Sequence, residues 1–170
     1  MAIFIIAEIG INHNGDIDIC KELIDCAIKA GCDAIKLQKR DIDLVYTKDF
    51  LESPRNSPYG KTQRDQKEGL EFDFNEYKEI DKYCKEKGIE WFASAWDINS
   101  QLFLRKFDCK FNKVASAMIV SHELLNLIAD EGKHTFISTG MSTYSDIEKA
   151  INIFTKKNCP FELMHTVSTY

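Results

Sequence analysis

Two lysines stand where lysine is costly. Lys36 sits inside Ala34-Ile35-Lys36-Leu37-Gln38, and Lys113 inside Asn112-Lys113-Val114-Ala115-Ser116. An ammonium in an apolar run needs an anionic partner, a depressed pKa, or a path for its stem to reach water. Ser116 ends the run that holds Lys113, and Ser94 and Ser138 lie at the ends of other apolar runs. Lysines with hydroxyls and backbone N–H groups suit a phosphate or carboxylate, because cations supply charge and hydroxyls supply directed donors. Glu8, within Phe4-Ile5-Ile6-Ala7-Glu8-Ile9-Gly10, is the acidic counterpart. It can form a structural ion pair with Lys36, bind a substrate hydroxyl, or act as a general acid/base. His13 is a candidate substrate contact and His165 a candidate ligand or polar anchor, though each also suits a structural role. His122 and His134 adjoin a helix start and a strand start and receive no role.

These residues need elements to hold them, and the apolar pattern alternates between two periods. Residues 4–9 form a short isoleucine-rich run that reads as a buried strand. Cys20, Leu23, Ile24, Ala27 and Ile28 follow at helical spacing, with Gly31 where a helix end favours it. Residues 34–38 are again strand-like. The spacing then predicts a helix capped by Asn75 through Lys87, a strand over 90–96, and a short helix opened by Asn99 or Ser100. A strand over 112–116 and a helix capped by Ser121 follow. A strand over 135–138 leads to a helix to about Lys157, opened by a Ser145/Glu148 capping box, and then to a sixth strand over 161–167. Between them, residues 39–71 are polar, contain Pro54, Pro58 and Gly60, and read as one long functional loop.

Six strand–helix repeats with apolar strands point to α/β architecture and a parallel sheet. No G-x-G-x-x-G follows the first strand, and polar residues recur at strand ends as Glu8, Lys36, Ser94, Lys113, Ser138 and His165. A barrel brings such ends to one mouth, so the expected fold is a (β/α)8 TIM barrel. Such a barrel takes about 250 residues. Residues 1–170 supply about six units in a single domain, so the last two are expected to be missing. The first and sixth strands would then be apolar edges prone to aggregation.

A net charge of −5 argues against general nucleic-acid binding. The six cysteines include no C-x-x-C, and Cys20 and Cys84 fall on apolar helix faces. No basic stretch precedes an N-terminal apolar run, and no run approaches the roughly 20 residues of a membrane span. A cytoplasmic protein with free thiols is the expectation.

Ala7-Glu8-Ile9-Gly10-Ile11-Asn12-His13-Asn14-Gly15 resembles the opening signature of the sialic acid synthase family. Agreement continues through Lys36-Leu37-Gln38, Pro58-Tyr59-Gly60-Lys61-Thr62, Lys113-Val114-Ala115-Ser116, Ile137-Ser138-Thr139-Gly140-Met141 and His165-Thr166-Val167-Ser168-Thr169-Tyr170. These blocks cover essentially the whole chain. The resemblance implies a barrel that condenses phosphoenolpyruvate with an open-chain N-acylmannosamine-type amino sugar, giving a sialic (nonulosonic) acid and phosphate. It implies a divalent metal, manganese or magnesium, and a C-terminal antifreeze-like domain that completes the site in a homodimer. By position, Lys36, Ser94, Lys113, Ser116 and Ser138 match the family's phosphoenolpyruvate contacts, Glu8 its proton-handling acid, and Gln38 and Tyr170 its sugar contacts.

There are departures. The family's two metal-binding histidines would fall beyond Tyr170, so no metal ligand is expected within the chain, and the antifreeze-like domain is absent from it. Met118 stands where many bacterial members carry glutamate, which puts one sugar contact in doubt. A Schiff-base lysine aldolase remains an alternative enzyme, since a desolvated strand lysine is that chemistry's nucleophile. A non-catalytic ligand-binding fragment is a second alternative.

Overall fold

The computed structural model describes residues 3–168. They fall into two compact units, one ending at Trp91 and the other starting at Phe92.

The first unit opens with strand β1 (Ile6–Gly10), helix α1 (Ile17–Lys29) and strand β2 (Ala34–Lys39). Asp16 caps α1 by accepting from the Asp18 and Ile19 N–H groups. The helix buries Cys20, Ile24 and Ala27 on one face, the stripe expected from the sequence. β2 runs parallel to β1, with Glu8 in register with Lys36. Four of its six residues are buried, as suits a strand covered on both faces.

Residues 39–71 are not the single loop expected from their polarity. They form α2 (Ile42–Val45), α3 (Lys48–Glu52), an antiparallel hairpin of β3 (Pro54–Ser57) and β4 (Gly60–Thr62), and α4 (Gln63–Glu68). Local polar bonds make these short elements possible. Thr47 caps α3, while Thr62 and Asp65 form a reciprocal capping box on α4. Packing then fixes the hairpin. The Tyr59 hydroxyl donates to the Asn14 carbonyl. A Cβ on Gly69 would lie 2.2 Å from the Tyr59 ring, and one on Gly15 would lie 1.9 Å from the Gly69 carbonyl oxygen.

Helix α5 (Phe74–Lys87) completes this unit and ends at Gly88 in the left-handed conformation. Its cap is Asp73, in a box with Glu76, and not Asn75. Asp73 wins because its carboxylate reaches the N–H groups of Asn75 and Glu76 at 2.7 and 2.9 Å. The buried Tyr77 of α5 donates its hydroxyl to the Gln38 carbonyl at 2.9 Å, tying helix to strand.

Strand β5 (Glu90–Ala95) carries the chain onward. The second unit continues with α6 (Ile98–Leu104), β6 (Phe111–Val114), a 3-10 turn (Ser116–Met118), α7 (His122–Ala129), β7 (His134–Ser138), α8 (Tyr144–Lys156) and β8 (Phe161–Met164). Here β5, β6, β7 and β8 pair in chain order, all parallel. Phe92, Phe111 and Phe136 meet ring to ring with centroids 5.4–5.8 Å apart, and Leu125, Ile128, Ile137 and Phe154 are fully buried as well. Three sequence expectations shift. Asp97, whose carboxylate accepts from the Ser100 N–H at 2.7 Å, opens α6 instead of Asn99 or Ser100. Thr143 and Asp146 box the start of α8 in place of Ser145 and Glu148. β8 stops at Met164 because its ladder ends with Ser138, the last residue of β7.

A polar hub closes the start of β6 and β7. Glu131 accepts from Gln101 at 2.7 Å, from Arg105 at 2.8 Å and from Asn112 at 3.1 Å, with Lys133 at 3.8 Å. Its side chain is only 8% exposed.

Two glycines separate packing from backbone strain. Gly15 and Gly31 both hold left-handed φ, +67° and +77°, but a Cβ on Gly31 meets nothing within 4 Å. Gly31→Ala is predicted to cost about 1–2 kcal/mol from backbone alone. Gly15→Ala should cost about 3 kcal/mol or more, since the hairpin must shift as well. Urea unfolding of both variants checks this, and equal losses would show that the hairpin is not clamped.

Candidate active site

In the first unit, register and pleat place the polar groups. Glu8 opposite Lys36 brings carboxylate and ammonium together, and the two form an ion pair. The Lys36 side chain is 10% exposed and that of Glu8 is 50% exposed, so Lys36 does not escape along its stem to water. Burial pushes the Lys36 pKa down, while the Glu8 charge and hydrogen bond push it up and the Arg40 charge lowers it further. Gln38, two residues on, shares the face of Lys36. A Cβ on Gly10 would lie 2.9 Å from Glu8 Oε1 and 3.2 Å from Gln38 Nε2, so glycine there lets the two side chains crowd the end of β1. Glu8, Lys36 and Gln38 are thus brought together.

Arg40 extends the row and was not foreseen. It donates to the Gln38 side-chain oxygen and, through its backbone N–H, to Glu71 at 3.1 Å. Lys39 donates to Glu71 at 3.2 Å and to the Phe72 carbonyl at 2.8 Å. The period-two spacing of Lys36, Gln38 and Arg40 was the available signal for Arg40.

His13 belongs to the framework. It is 2% exposed, stacks on Phe72 with centroids 3.9 Å apart, and its Nδ1 accepts from the Gly15 N–H at 3.0 Å. Burial lowers its pKa to about 4, partly offset by a backbone hydrogen bond to Gly10. The ring is neutral at pH 7, and its geometry serves the turn.

In the second unit, Lys113 is buried and in register with the buried Ser94. Its ammonium donates to the Ser138 hydroxyl and to the Val114 carbonyl, both at 2.6 Å. Ser116 accepts from the Gly140 N–H at 3.0 Å. Gly140 has no room for a side chain, since a Cβ would lie 2.6 Å from Ser168 Oγ and 3.0 Å from Ser116 Oγ. Ser94, Lys113, Ser116 and Ser138 therefore gather at the ends of β5, β6 and β7. A hydroxyl that accepts a bond still has its own proton to donate, so Ser116 and Ser138 can both turn donors towards an anion. His165 is exposed just past β8. Tyr170 lies outside the described residues. Among the described residues no three His, Cys, Asp or Glu side chains gather to hold a metal, so the residues present do not fit the expected divalent ion. No helix among them is long and apolar enough to cross a membrane.

Parallel strands joined by helices, with lysines buried at strand ends, define an α/β protein of the (β/α)8 barrel class, incomplete at six repeats. The NeuB family model matches residues 23–170, and the chain belongs to that family. It is 36% identical to the N-acetylneuraminate-9-phosphate synthase of Drosophila melanogaster over 99% of the chain and 46% of that relative. It is 30% identical to the N,N'-diacetyllegionaminic acid synthase of Campylobacter jejuni over 98% of the chain and 52% of that relative. The crystal structure of N-acetylneuraminic acid (sialic acid) synthetase from Leptospira borgpetersenii superposes with a TM-score of 0.87 at 31% identity, covering 100% of this chain and 56% of that one. The chain thus spans about half the length of the relatives it matches.

The buried histidine sets a pH dependence. His13 takes up a proton near pH 6.5 when unfolded and only near pH 4 when folded. The unfolded state binds more protons in that window, so stability falls as pH drops from 6.5 towards 4. The full loss is roughly 3–3.5 kcal/mol. His13→Asn should flatten the slope of the urea midpoint between pH 6.5 and 5, before the carboxylates titrate. An unchanged slope would remove His13 as its source.

Proposed function

We propose that the protein joins phosphoenolpyruvate to an open-chain N-acylmannosamine-type sugar, forming a nonulosonic acid and inorganic phosphate. The observation that carries this reading is the Lys113 ammonium, buried and held between a carbonyl and the Ser138 hydroxyl. Lys113 serves as a fixed cation for an anion, with Ser94 in register beside it, Ser138 bonded to it, and Ser116 held by the Gly140 N–H. The family supports the choice of reaction, and the relatives' names supply the product class.

In this reading C3 of phosphoenolpyruvate attacks the sugar aldehyde carbon, forming the new C–C bond. Water adds at C2, and the C–O bond to phosphate then breaks, so phosphate leaves with that oxygen. Lys113 and the serines hold the phosphate through this charge transfer. The family's pattern adds Lys36 as a phosphoenolpyruvate contact. Glu8, half exposed beside Lys36, orients the water or takes its proton. Gln38 contacts the sugar. A manganese or magnesium ion, a homodimer and a cytoplasmic location belong to the same proposal, with the ion's ligands outside residues 3–168.

One observation favours a Schiff-base aldolase instead: burial lowers the pKa of Lys36, which exposes more of the free amine. Borohydride with pyruvate separates the two. Labelling of Lys36 with loss of activity would replace the condensation by the aldolase.

Lys113→Ala in the full-length protein should raise the Michaelis constant for phosphoenolpyruvate roughly 10- to 100-fold, the weight of a charge-assisted hydrogen bond. The constant for the sugar should change little. Steady-state phosphate release, varying each substrate in turn, tests this. Equal effects on both substrates would contradict the role.

A further inference from the structure

The proposed chemistry gives no task to Arg40, although it is bonded on two sides. On one side its guanidinium pairs with the Glu71 carboxylate at 3.5 Å, and its backbone N–H donates to the same carboxylate at 3.1 Å. On the other it donates to the side-chain oxygen of Gln38. The Arg40 and Glu71 side chains are 10% and 11% exposed, so water competes little for these bonds. Glu71 is itself fixed by Lys39, which donates to it at 3.2 Å and to the Phe72 carbonyl at 2.8 Å. Arg40 is therefore anchored independently of its bond to Gln38.

That bond decides what Gln38 can offer. A primary amide has an accepting end and a donating end of nearly equal size, so a flip reverses its hydrogen-bonding sense with little change in shape. A guanidinium has only donors. With Arg40 on Oε1, the amide turns Nε2 away, and that nitrogen lies 3.2 Å from where a Cβ of Gly10 would stand. Glu8 Oε1 lies 2.9 Å from the same point. A donor and a carboxylate acceptor thus flank Gly10. The reversed amide would set NH2 against guanidinium and oxygen on the carboxylate's side, two unfavourable pairings. The backbone of Gln38 is held as well, because the Tyr77 hydroxyl donates to its carbonyl at 2.9 Å.

We propose that Arg40 is a positioning residue: it keeps the Gln38 amide oxygen on the guanidinium, so that Gln38 meets the sugar as a hydrogen-bond donor only. The inference rests on the proposed role of Gln38 as a sugar contact, but the bond itself is tested without that role.

Phosphate release by the full-length protein, with N-acetylmannosamine and its 6-phosphate as acceptors, gives the first test. Arg40→Met keeps most of the stem and leaves Lys39 on Glu71. An amide free to flip and swing is competent for half the time or less, so the Michaelis constant for the sugar should rise roughly 3- to 10-fold. That for phosphoenolpyruvate should stay unchanged, and Arg40→Lys should recover part of the loss. Gln38→Glu keeps an oxygen for Arg40 but has no N–H, so it should raise the sugar constant by roughly 10-fold. In a Gln38→Ala background Arg40→Met should have no further effect on the sugar, since no amide remains to be positioned. An equal rise with and without Gln38, or an equal rise for both substrates, would make Arg40 merely structural and overturn the proposal. So would an unchanged sugar constant in Gln38→Glu, because the accepting end would then suffice.

Thermal unfolding of wild type, Arg40→Met, Gln38→Ala and the double variant measures the bond with no substrate present. The double variant should lose less in midpoint than the two single losses added together. Strictly additive losses would also overturn the proposal. If wild type releases no phosphate with either acceptor while this coupling persists, the condensation fails and the orientation of Gln38 by Arg40 stands.

Discussion

Placing an ammonium inside a buried parallel strand is the constraint from which the arrangement of both units follows. An unpaired charge in such a place costs several kcal/mol, so each lysine must arrive with its partners. Parallel pairing supplies them through register. Glu8 faces Lys36 because β1 and β2 align residue for residue there, and Ser94 faces Lys113 for the same reason. The two solutions differ in kind. Lys36 pairs with a carboxylate that is half exposed, whereas Lys113 donates to a carbonyl and to a hydroxyl. The first makes an acid and a cation available together. The second sets an ammonium beside hydroxyls, a combination that suits an anionic substrate.

Rigidity is achieved by close backbone approach as much as by side chains. Gly10, Gly15, Gly69 and Gly140 each stand where a Cβ would strike a functional or clamping group. At Gly10 those groups are Glu8 and Gln38; at Gly140 they are Ser116 and Ser168. Preorganised donors act without reorganisation cost during reaction, and glycine turns let such donors come close enough to cooperate.

The alternating apolar periods made the six parallel strands and their longer helices legible, because burying one face imposes those periods directly. Helix starts were less legible. Asp73 and Asn75, or Thr143 and Ser145, lie two residues apart and are all capable caps, so the choice depends on three-dimensional reach. Residues 39–71 carry no apolar period, since their elements are too short to bury a face and are held by caps and by Tyr59 on Gly69. Lys36, Lys113 and Glu8 could be singled out because charge interrupts apolar runs, and the Glu8–Lys36 pair was foreseen as one option. Arg40 with Glu71 was not, because 31 residues separate the partners. His13 was open to a substrate or a scaffold role in the sequence, and its stacking on Phe72 favours the scaffold.

The hub around Glu131 has an evolutionary consequence. Gln101, Arg105 and Asn112 all direct side-chain donors to one nearly buried carboxylate. Losing the acceptor alone takes one bond from each of three side chains, and a buried donor left without a partner costs about 1–3 kcal/mol of the roughly 5–15 kcal/mol that holds a domain together. Single substitutions there are therefore barred even though the hub takes no part in the proposed chemistry. In descendants of this chain these four positions should covary as a set or stay frozen together, and independent drift at Glu131 across an alignment would refute the coupling.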